Sequence, residues 1–223
     1  MLNYRVEPEL LAPLVPKGVE MDFFQSETYI SIVGLLFLDT RVLTIAFPCH
    51  RDFEEVNLRF YVRRRSADTW RRGVCFVREI VPKKAVSLLA RLCYGERYLA
   101  LPMKHHIEHR DRAVKVEYSW RRKSKWESIA MSALGDPVPV LAGTHEEFIT
   151  EHYWGYTDVR GGCSEYRVEH PRWKIWPADT FQLIGDMATL YGSEFADVLN
   201  SPPASAFIAE GSHVRIFARE INA

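Results

Sequence analysis

The sequence predicts an α+β fold that is mostly antiparallel β, with a curved sheet or β-barrel and few helices. Three observations lead to this prediction. Residues 56–62 alternate apolar and polar side chains, which is the period of a half-buried strand. Residues 29–38 form an almost continuous apolar run, which is typical of a buried strand. Gly161 and Gly162 separate two further strand-like segments, which indicates a β-hairpin.

The other strands are shorter and lie between turn signals. Residues 121–125 are strongly basic and are predicted to form the turn between two of these strands. Gly211 and Ser212 mark a turn before the last strand. The strands predicted in this way cover residues 29–38, 56–62, 73–81, 97–101, 113–121, 126–133, 153–159, 163–170 and 213–220.

Helices are predicted where the chain carries their end signals. Proline or glycine bounds two of them, and a capping box formed by Thr144 and Glu147 starts a third. Gly192 is expected to interrupt a further short helical stretch. The helices predicted in this way cover residues 7–15, 83–94 and 144–151, with one helical turn within residues 186–199.

The composition predicts a cytoplasmic protein that folds as one domain over residues 1–223. The 29 basic and 29 acidic residues cancel, so no net field favours nucleic acid or an anionic membrane. The longest apolar run is too short to span a bilayer, and the N-terminus has no signal-peptide pattern. The four cysteines are widely spaced and form no CxxC pair, so we expect reduced thiols. A homo-oligomer is compatible with these features.

One face of the strand over residues 56–62 carries a polar constellation. Because successive side chains of a strand point to opposite faces, the polar set shares one face and the aliphatic set shares the other. As a substrate site, this face would be the polar wall of a cavity, with Arg59 holding a substrate carboxylate through its bidentate fork. The alternative is the solvent face of an ordinary sheet. The predicted polar set is Glu55, Asn57, Arg59 and Tyr61.

Three stretches carry a resemblance to a known family. They are PELLAPLVPKGVEMDFF with the following YISIVGLLFLD, then FEEVNLRFYVRRR, and then EHYWGYT…GG…EYRVEHPRWKIWP. Together they cover the whole chain, which resembles the YqjF-like proteins, an uncharacterised bacterial family grouped with the acetoacetate decarboxylase-like superfamily. The resemblance implies the fold of that superfamily, a curved β-barrel around a central apolar cavity.

A second resemblance concerns the stretch VREIVPKKA, residues 77–85. It is similar to the segment of acetoacetate decarboxylases in which an arginine–glutamate pair is followed by proline and two lysines. The resemblance implies that Lys83 forms a Schiff base with the substrate ketone and that Lys84 is its charged neighbour. A glutamate ahead of this segment also takes part in those enzymes, and Glu55 is the nearest match, with Glu54 as the alternative.

The charge of the lysine pair decides whether this chemistry is available. An imine needs an uncharged amine, whereas a free lysine, with a pKa near 10.4, is almost fully protonated at neutral pH. The charge of Lys84, the positive end of a helix that begins at Pro82, and apolar flanking residues would all favour the neutral amine of Lys83. The alternative is a pair of solvated lysines in the first turn of a surface helix.

Two other groups of residues are not predicted to form functional sites. His105 and His109 would share one face of a helix, but the segment is charged and reads as a loop, so no metal is predicted. The aromatic residues between 153 and 176 are read as core packing, with the lining of an apolar pocket as the alternative. No cofactor is implied. The sequence contains no Walker, GxGxxG or GxSxG pattern.

The sequence therefore predicts a small-molecule lyase, a β-keto acid decarboxylase-like enzyme that works through a Schiff base on Lys83. The catalytic candidates are Lys83, Lys84 and Glu55, and the substrate-binding candidates are Asn57, Arg59 and Tyr61. The expected partner is a small carboxylated or ketone ligand. The alternatives are a non-catalytic ligand-binding protein of the same fold, and a protein whose cavity is eroded and which serves interactions.

Overall fold

The computed structural model of the chain describes residues 1–42, 45–46, 52–67, 69–82 and 97–222. The predicted helix over residues 83–94 lies outside the described residues. The described helices are α1 (Pro8–Leu11), which a 3-10 turn (Ala12–Leu14) extends, α2 (His145–Thr150), α3 (Met187–Tyr191) and α4 (Ser193–Asn200). The described strands are β1 (Leu2–Val6), β2 (Glu20–Met21), β3 (Thr28–Phe37), β4 (Arg41–Val42), β5 (Ile45–Ala46), β6 (Phe53–Ser66), β7 (Thr69–Val81), β8 (Tyr98–Ala100), β9 (Met103–Arg110), β10 (Ala113–Arg122), β11 (Lys125–Leu134), β12 (Val138–Pro139), β13 (Trp154–Val159), β14 (Gly162–Glu169), β15 (Lys174–Pro177), β16 (Thr180–Ile184), β17 (Ser205–Ala209), β18 (Arg215–Ile216) and β19 (Glu220–Asn222).

A large sheet forms the centre of the structure. Its strands run in the order β12-β15-β17-β1-β3-β6-β7-β13-β14-β18. In addition, β2 pairs with β6, β8 with β7 and β19 with β14. The neighbours are antiparallel except for β7 with β13 and β7 with β8, so the predicted mostly antiparallel sheet is confirmed. The pairings between described strands leave this sheet open, so the closed barrel is wrong for this part of the chain. A register shift between Leu58 and Arg59, where β7 carries one extra residue, adds curvature to the centre of the sheet.

A four-stranded sheet covers one face of the large sheet. Its order is β16-β11-β10-β9, and its Trp120 and Ile129 belong to the same buried apolar cluster as Leu58 of β6. Helices α3 and α4 close the same layer through Leu190 and Phe195. This layer, which we call the first core, holds the aliphatic side of β6, as the period-two pattern predicts.

The opposite face of the large sheet is also covered. Phe148 and Ile149 of α2 pack with Tyr29, Val33 and Tyr61 of the sheet in a separate apolar cluster, which we call the second core. Since Tyr61 belongs to the polar set of β6, the polar side of this strand faces the second core. It is therefore an interior face of the described structure, and the solvent-face alternative is wrong.

The described helices follow their predicted end signals. Helix α1 with its 3-10 turn and helix α2 confirm two of the predicted helices. Thr144 caps α2 by accepting a hydrogen bond from the backbone amide of Glu147 at 3.3 Å, and the Glu147 carboxylate returns to the amide of Gly143 at 2.7 Å. Gly192 adopts a φ of 116° and separates α3 from α4, so the stretch predicted to hold one turn forms two helices.

Two segments differ from the prediction. The histidine segment over residues 104–110 was expected to form a loop, but it belongs to β9, which pairs with β10 along its whole length. The strand satisfies its backbone through β10, and because β9 is an edge strand its charged side chains remain in solvent. The predicted strand over residues 213–220 is also wrong as a continuous element, since the structure has the two short strands β18 and β19 there.

The contact between the two sheets gives a stability prediction. A Cβ at Gly34 of β3 would collide with the ring of Tyr118, which β10 packs against this position. We expect Gly34→Ala to lower the free energy of unfolding by about 1–3 kcal/mol, since overpacking forces side chains or backbone to move. Urea unfolding measures this change. In a Tyr118→Leu background the same substitution should cost clearly less, and an equal cost there would show that the ring is not the cause.

Candidate functional site

The polar row on β6 is the centre of the candidate site. Glu55 is 4% exposed, and Asn57 and Tyr61 are each 1% exposed, while Arg59 is half-buried. Ser31 of β3 pairs with Arg59 across the sheet. The row is therefore enclosed, and burying such groups is costly unless they are hydrogen-bonded or meet a ligand.

Glu55 is held by two neighbours. The amide of Asn57 donates to its Oε1 at 2.9 Å, and the hydroxyl of Tyr98 donates to its Oε2 at 3.3 Å. Burial raises the pKa of Glu55 to about 7, against the lowering effect of these two hydrogen bonds and of the positive charge of Arg59. A carboxyl group in this condition can hold or release a proton near neutral pH.

Glu54 has a different environment from Glu55. Adjacent side chains of a strand point to opposite faces, and Glu54 contacts Nδ1 of His105 on β9 at 2.8 Å. Glu54 therefore lies on the side of the four-stranded sheet. Of the two glutamates that the sequence left open, Glu55 is the one on the face of Asn57 and Arg59.

Arg59 lies beside the second core and makes one hydrogen bond to a described residue. One Nη2 hydrogen bond reaches the carbonyl oxygen of Ile149 at 3.2 Å, near the C-terminal end of α2. Its Nε is buried and has no hydrogen-bond partner in the described part of the chain. A guanidinium offers five N–H donors in a fixed plane, so Arg59 retains a fork that fits a carboxylate.

Tyr61 begins a chain of hydrogen bonds across the large sheet. Its hydroxyl lies 2.6 Å from Oγ of Ser31, and Ser31 donates to Oδ1 of Asn3 at 2.6 Å. Since Ser31 uses its only proton on Asn3, Tyr61 is the donor to Ser31. Nδ2 of Asn3 donates to Oγ of Ser205 at 2.9 Å, and Ser205 lies 3.2 Å from Nδ1 of His145 on α2. The chain fixes the hydroxyl of Tyr61 and leaves its ring facing the second core.

A group that sequence reasoning missed lies against the same ring. The ring centroid of His152 is 4.8 Å from that of Tyr61, and its Nε2 is 3.2 Å from Oδ2 of Asp22. Nε of Arg72 donates to the same carboxylate oxygen at 2.6 Å. These three polar residues come from distant parts of the chain and belong to no short motif. The one available signal was the histidine within the aromatic stretch after residue 150.

The lysine pair lies outside the described residues. Strand β7 ends at Val81, two residues before Lys83, and Ile80 pairs with Val56, the residue after Glu55. Arg78, which precedes Glu79 in the same stretch, donates to the carbonyl of Leu190 in α3. The arginine of this motif is therefore on the side of the first core.

The aromatic residues and the histidines that the sequence did not assign to a site have the following positions in the structure. Trp173 packs against the second core. Tyr156 belongs to the first core, and Trp154 and Trp176 pack against it. The described residues contain no group of three or more histidine, cysteine or acidic side chains arranged for a metal ion. In a strand, His105 and His109 are separated by four residue rises, so they cannot share a metal as they would on a helix. Within the described residues, no helix has both the length and the hydrophobicity that a bilayer span requires.

The architecture defines the class to which the chain belongs. It is similar to acetoacetate decarboxylase from Legionella pneumophila, with a TM-score of 0.65 and 12% identity over 100% of this chain and 83% of that one. It is also similar to the enduracididine biosynthesis enzyme MppR complexed with pyruvate, with a TM-score of 0.58 and 10% identity over 98% and 82% of the two chains. At such identities the likeness shows the fold alone, which is acetoacetate decarboxylase-like.

Within that class, the chain belongs to the DUF2071 family of uncharacterized conserved proteins, whose family model matches residues 1–213. Among curated proteins it is similar to the uncharacterized protein YqjF of Bacillus subtilis (strain 168). The two are 22% identical over 194 residues, which cover 85% of this chain and 77% of YqjF. The family resemblance stated from the sequence is confirmed.

Proposed function

We propose that the chain is a small-molecule lyase that releases carbon dioxide from a β-keto acid through an imine on Lys83. The observation that carries this proposal is the pair of Glu55 and Arg59 on the enclosed face of β6. It combines a carboxyl group that can exchange a proton near neutral pH with a cation that can bind an acid.

The proposed reaction assigns one role each to Lys83, Glu55 and Arg59. The uncharged amine of Lys83 condenses with the substrate ketone and releases water, and the resulting imine is protonated. The bond between the carboxylate and the neighbouring carbon then breaks, carbon dioxide leaves, and the electron pair moves through that carbon onto the imine nitrogen to give an enamine. In this proposal Glu55 delivers a proton to the carbon, and hydrolysis releases the ketone and restores the amine.

Arg59 is proposed to bind and orient the acid rather than to drive its loss. A contact that is equally strong in the ground state and the transition state raises affinity without raising the rate of the chemical step. The driving force of the reaction comes from the imine. Arg59 would therefore set the strength of binding, and Lys83 with Glu55 would set the rate.

Two further observations support the proposal. Strand β7 ends at Val81, beside the position of Glu55 on β6. Lys83 follows two residues later, so the order of the chain allows one site to contain both Glu55 and Lys83. MppR, whose fold this chain shares, is described as complexed with pyruvate, a small keto acid. Pyruvate is an α-keto acid, so what we carry over to the chain, as part of the proposal, is the binding of a small keto acid and not the position of its ketone.

A non-catalytic ligand-binding protein is the second candidate. The observation that favours it is that the described residues alone supply a buried carboxyl, an amide and a guanidinium on one face. Such a face can bind a small carboxylated ligand without any reaction. The two candidates differ in whether a covalent adduct with a lysine forms.

Borohydride trapping distinguishes the candidates. The protein is incubated with acetoacetate, pyruvate or acetone, reduced with borohydride and weighed by mass spectrometry. A stable adduct of one ligand per chain is expected, because reduction fixes the imine as an amine. Raised thermal stability in the presence of the acids, without any adduct, would support the binding protein and contradict the lyase.

The role of Arg59 gives a separate binding prediction. Arg59→Met should weaken binding of pyruvate by roughly 10- to 100-fold, since hydrogen bonds to a charged group contribute roughly 1.5–3 kcal/mol. Calorimetry or ligand-detected NMR measures the dissociation constant. The matched control is Arg63→Met on the same strand, whose guanidinium lies 3.4 Å from Glu20 at the surface. An equal loss in both variants would show a general charge effect.

A further inference from the structure

His152 carries a buried nitrogen for which the described residues provide no hydrogen bond. Its side chain is 1% exposed, and Nε2 is bound to Asp22. Nδ1 of the same ring is buried and unpartnered within the described ranges. A buried polar atom without a partner is rare and costly, so it points to a ligand or a bound water.

The neighbours of His152 fix which kind of partner Nδ1 requires. Although burial alone would raise the pKa of Asp22, its hydrogen bonds with His152 and Arg72 lower it, so Asp22 is ionised and can only accept. Nε2 of His152 therefore carries the ring proton. Burial lowers the pKa of His152 to about 4, so the ring is neutral at physiological pH. Nδ1 is then a bare lone pair that needs an O–H or N–H donor.

Two unpartnered side-chain atoms of β6 lie on the same side of the large sheet as His152. The guanidinium carbon of Arg59 lies 5.7 Å from the ring centroid of Tyr61, and the ring of His152 packs against the same tyrosine. The positive charge of Arg59 reaches His152 and contributes to lowering its pKa. Nε of Arg59 and Oδ1 of Asn57 are buried and lack partners among the described residues. Within the described part of the chain, these unpartnered atoms on this side of the sheet are therefore one donor, from Arg59, and two acceptors, from His152 and Asn57.

We propose that His152 is a specificity-determining residue that selects acids carrying a hydroxyl group close to the carboxylate. The carboxylate binds Arg59, and the hydroxyl donates its proton to Nδ1 of His152. A hydroxyl fits better than an ammonium group, because the two cations Arg59 and Arg72 outnumber the single carboxylate of Asp22 that acts at this ring. The inference rests on the proposed binding of acids at Arg59 and narrows the β-keto acid to one that also carries a hydroxyl group close to its carboxylate. Hydroxy acids without a ketone serve as unreactive probes of this contact.

Matched ligands test the selection on the unmodified protein. We compare lactate with 2-methoxypropanoate, and 3-hydroxybutyrate with 3-methoxybutyrate, because methylation removes the donor and keeps the carboxylate. The hydroxy acid of at least one pair should bind about tenfold more tightly, which is the effect of one buried hydrogen bond. Alanine, with an ammonium in place of the hydroxyl of lactate, should bind more weakly than lactate.

Two substitutions separate ligand recognition from the contact with Asp22. The oxygen of asparagine in His152→Asn lies close to the position of Nδ1, whereas glutamine in His152→Gln reaches the position of Nε2 and preserves the contact with Asp22. The preference for the hydroxy acid should persist in H152N and fall to within about twofold in H152Q. A ¹⁵N spectrum of the histidine ring in the unmodified protein checks the same contact without a substitution, since donation to Nδ1 shifts its resonance.

The outcomes distinguish this inference from the proposed function. If the hydroxy and methoxy acids bind equally while both bind more tightly than their neutral amides, the selection by His152 is overturned and the carboxylate site stands. A preference that survives in H152Q also overturns it. If no acid binds the unmodified protein, the carboxylate site itself is overturned and the inference falls with it.

Discussion

Lys83→Ala is expected to abolish the adduct that borohydride traps with a keto acid, and with it any release of carbon dioxide. The reason is that no other group in the proposed reaction can form the imine. The expected effect is complete, from about one ligand per chain to background, whereas Glu55→Gln should slow the reaction and still permit the adduct. Peptide mapping of the reduced protein should place the label on Lys83.

Lys84→Ala should weaken the adduct without removing it. Two charges about 6 Å apart at an effective dielectric of about 20 repel by roughly 3 kcal/mol before relaxation, so removing one favours the protonated, unreactive form of the other. Lys104→Ala is the matched control, because this lysine is exposed on β9 and lies over the ring of Trp126. The Lys104→Ala variant should give the same amount of trapped adduct as the unmodified protein.

Label on Lys84 instead of Lys83 would reverse the roles within the pair and keep the lyase. Absence of label from both lysines across acetoacetate, pyruvate and acetone would contradict the imine mechanism. If Arg59→Met still weakened the binding of acids in that case, the chain would be a ligand-binding protein with the fold of a decarboxylase. The two experiments together therefore decide between the candidate functions.

The alternation along β6 made the row of Glu55, Asn57 and Arg59 predictable. A period of two determines which side chains share a face, and the structure keeps the aliphatic set in the first core. The pattern cannot show what covers the polar face. That cover comes from α2, about 90 residues further along the chain, and a contact at this distance depends on the fold as a whole.

His152 and Asp22 show the limit of sequence reasoning more sharply. They lie 130 residues apart and meet through one hydrogen bond. Neither residue belongs to a spacing that a single element would impose, so no local pattern predicts the pair. The opposite error occurred at β9, where a run of charged residues suggested a loop. An edge strand can carry such residues because its side chains stay in solvent while its backbone pairs with β10.

Glu55→Gln is expected to remove a pH dependence of stability. The pKa of Glu55 in the folded chain is about 7, above its usual value of 4.5. As the pH rises from about 4.5 to 7, the unfolded chain loses this proton while the folded chain retains it, so stability falls. The loss is complete above pH 7 and amounts to about 3 kcal/mol, from 1.36 kcal/mol for each unit of pKa. Below pH 4.5 this group contributes no slope.

Urea unfolding at intervals between pH 4.5 and 8 measures this slope. The difference in unfolding free energy between Glu55→Gln and the unmodified protein should move in favour of the variant by about 3 kcal/mol across this interval. Glutamine can still accept the hydrogen bond of Asn57, so the variant should fold. The control is Glu54→Gln on the other face of β6, which leaves Glu55 in place and should retain the slope. A difference that stays constant with pH would show that Glu55 titrates alike in both states, and the carboxyl would then lose its proposed role as a proton donor near neutral pH.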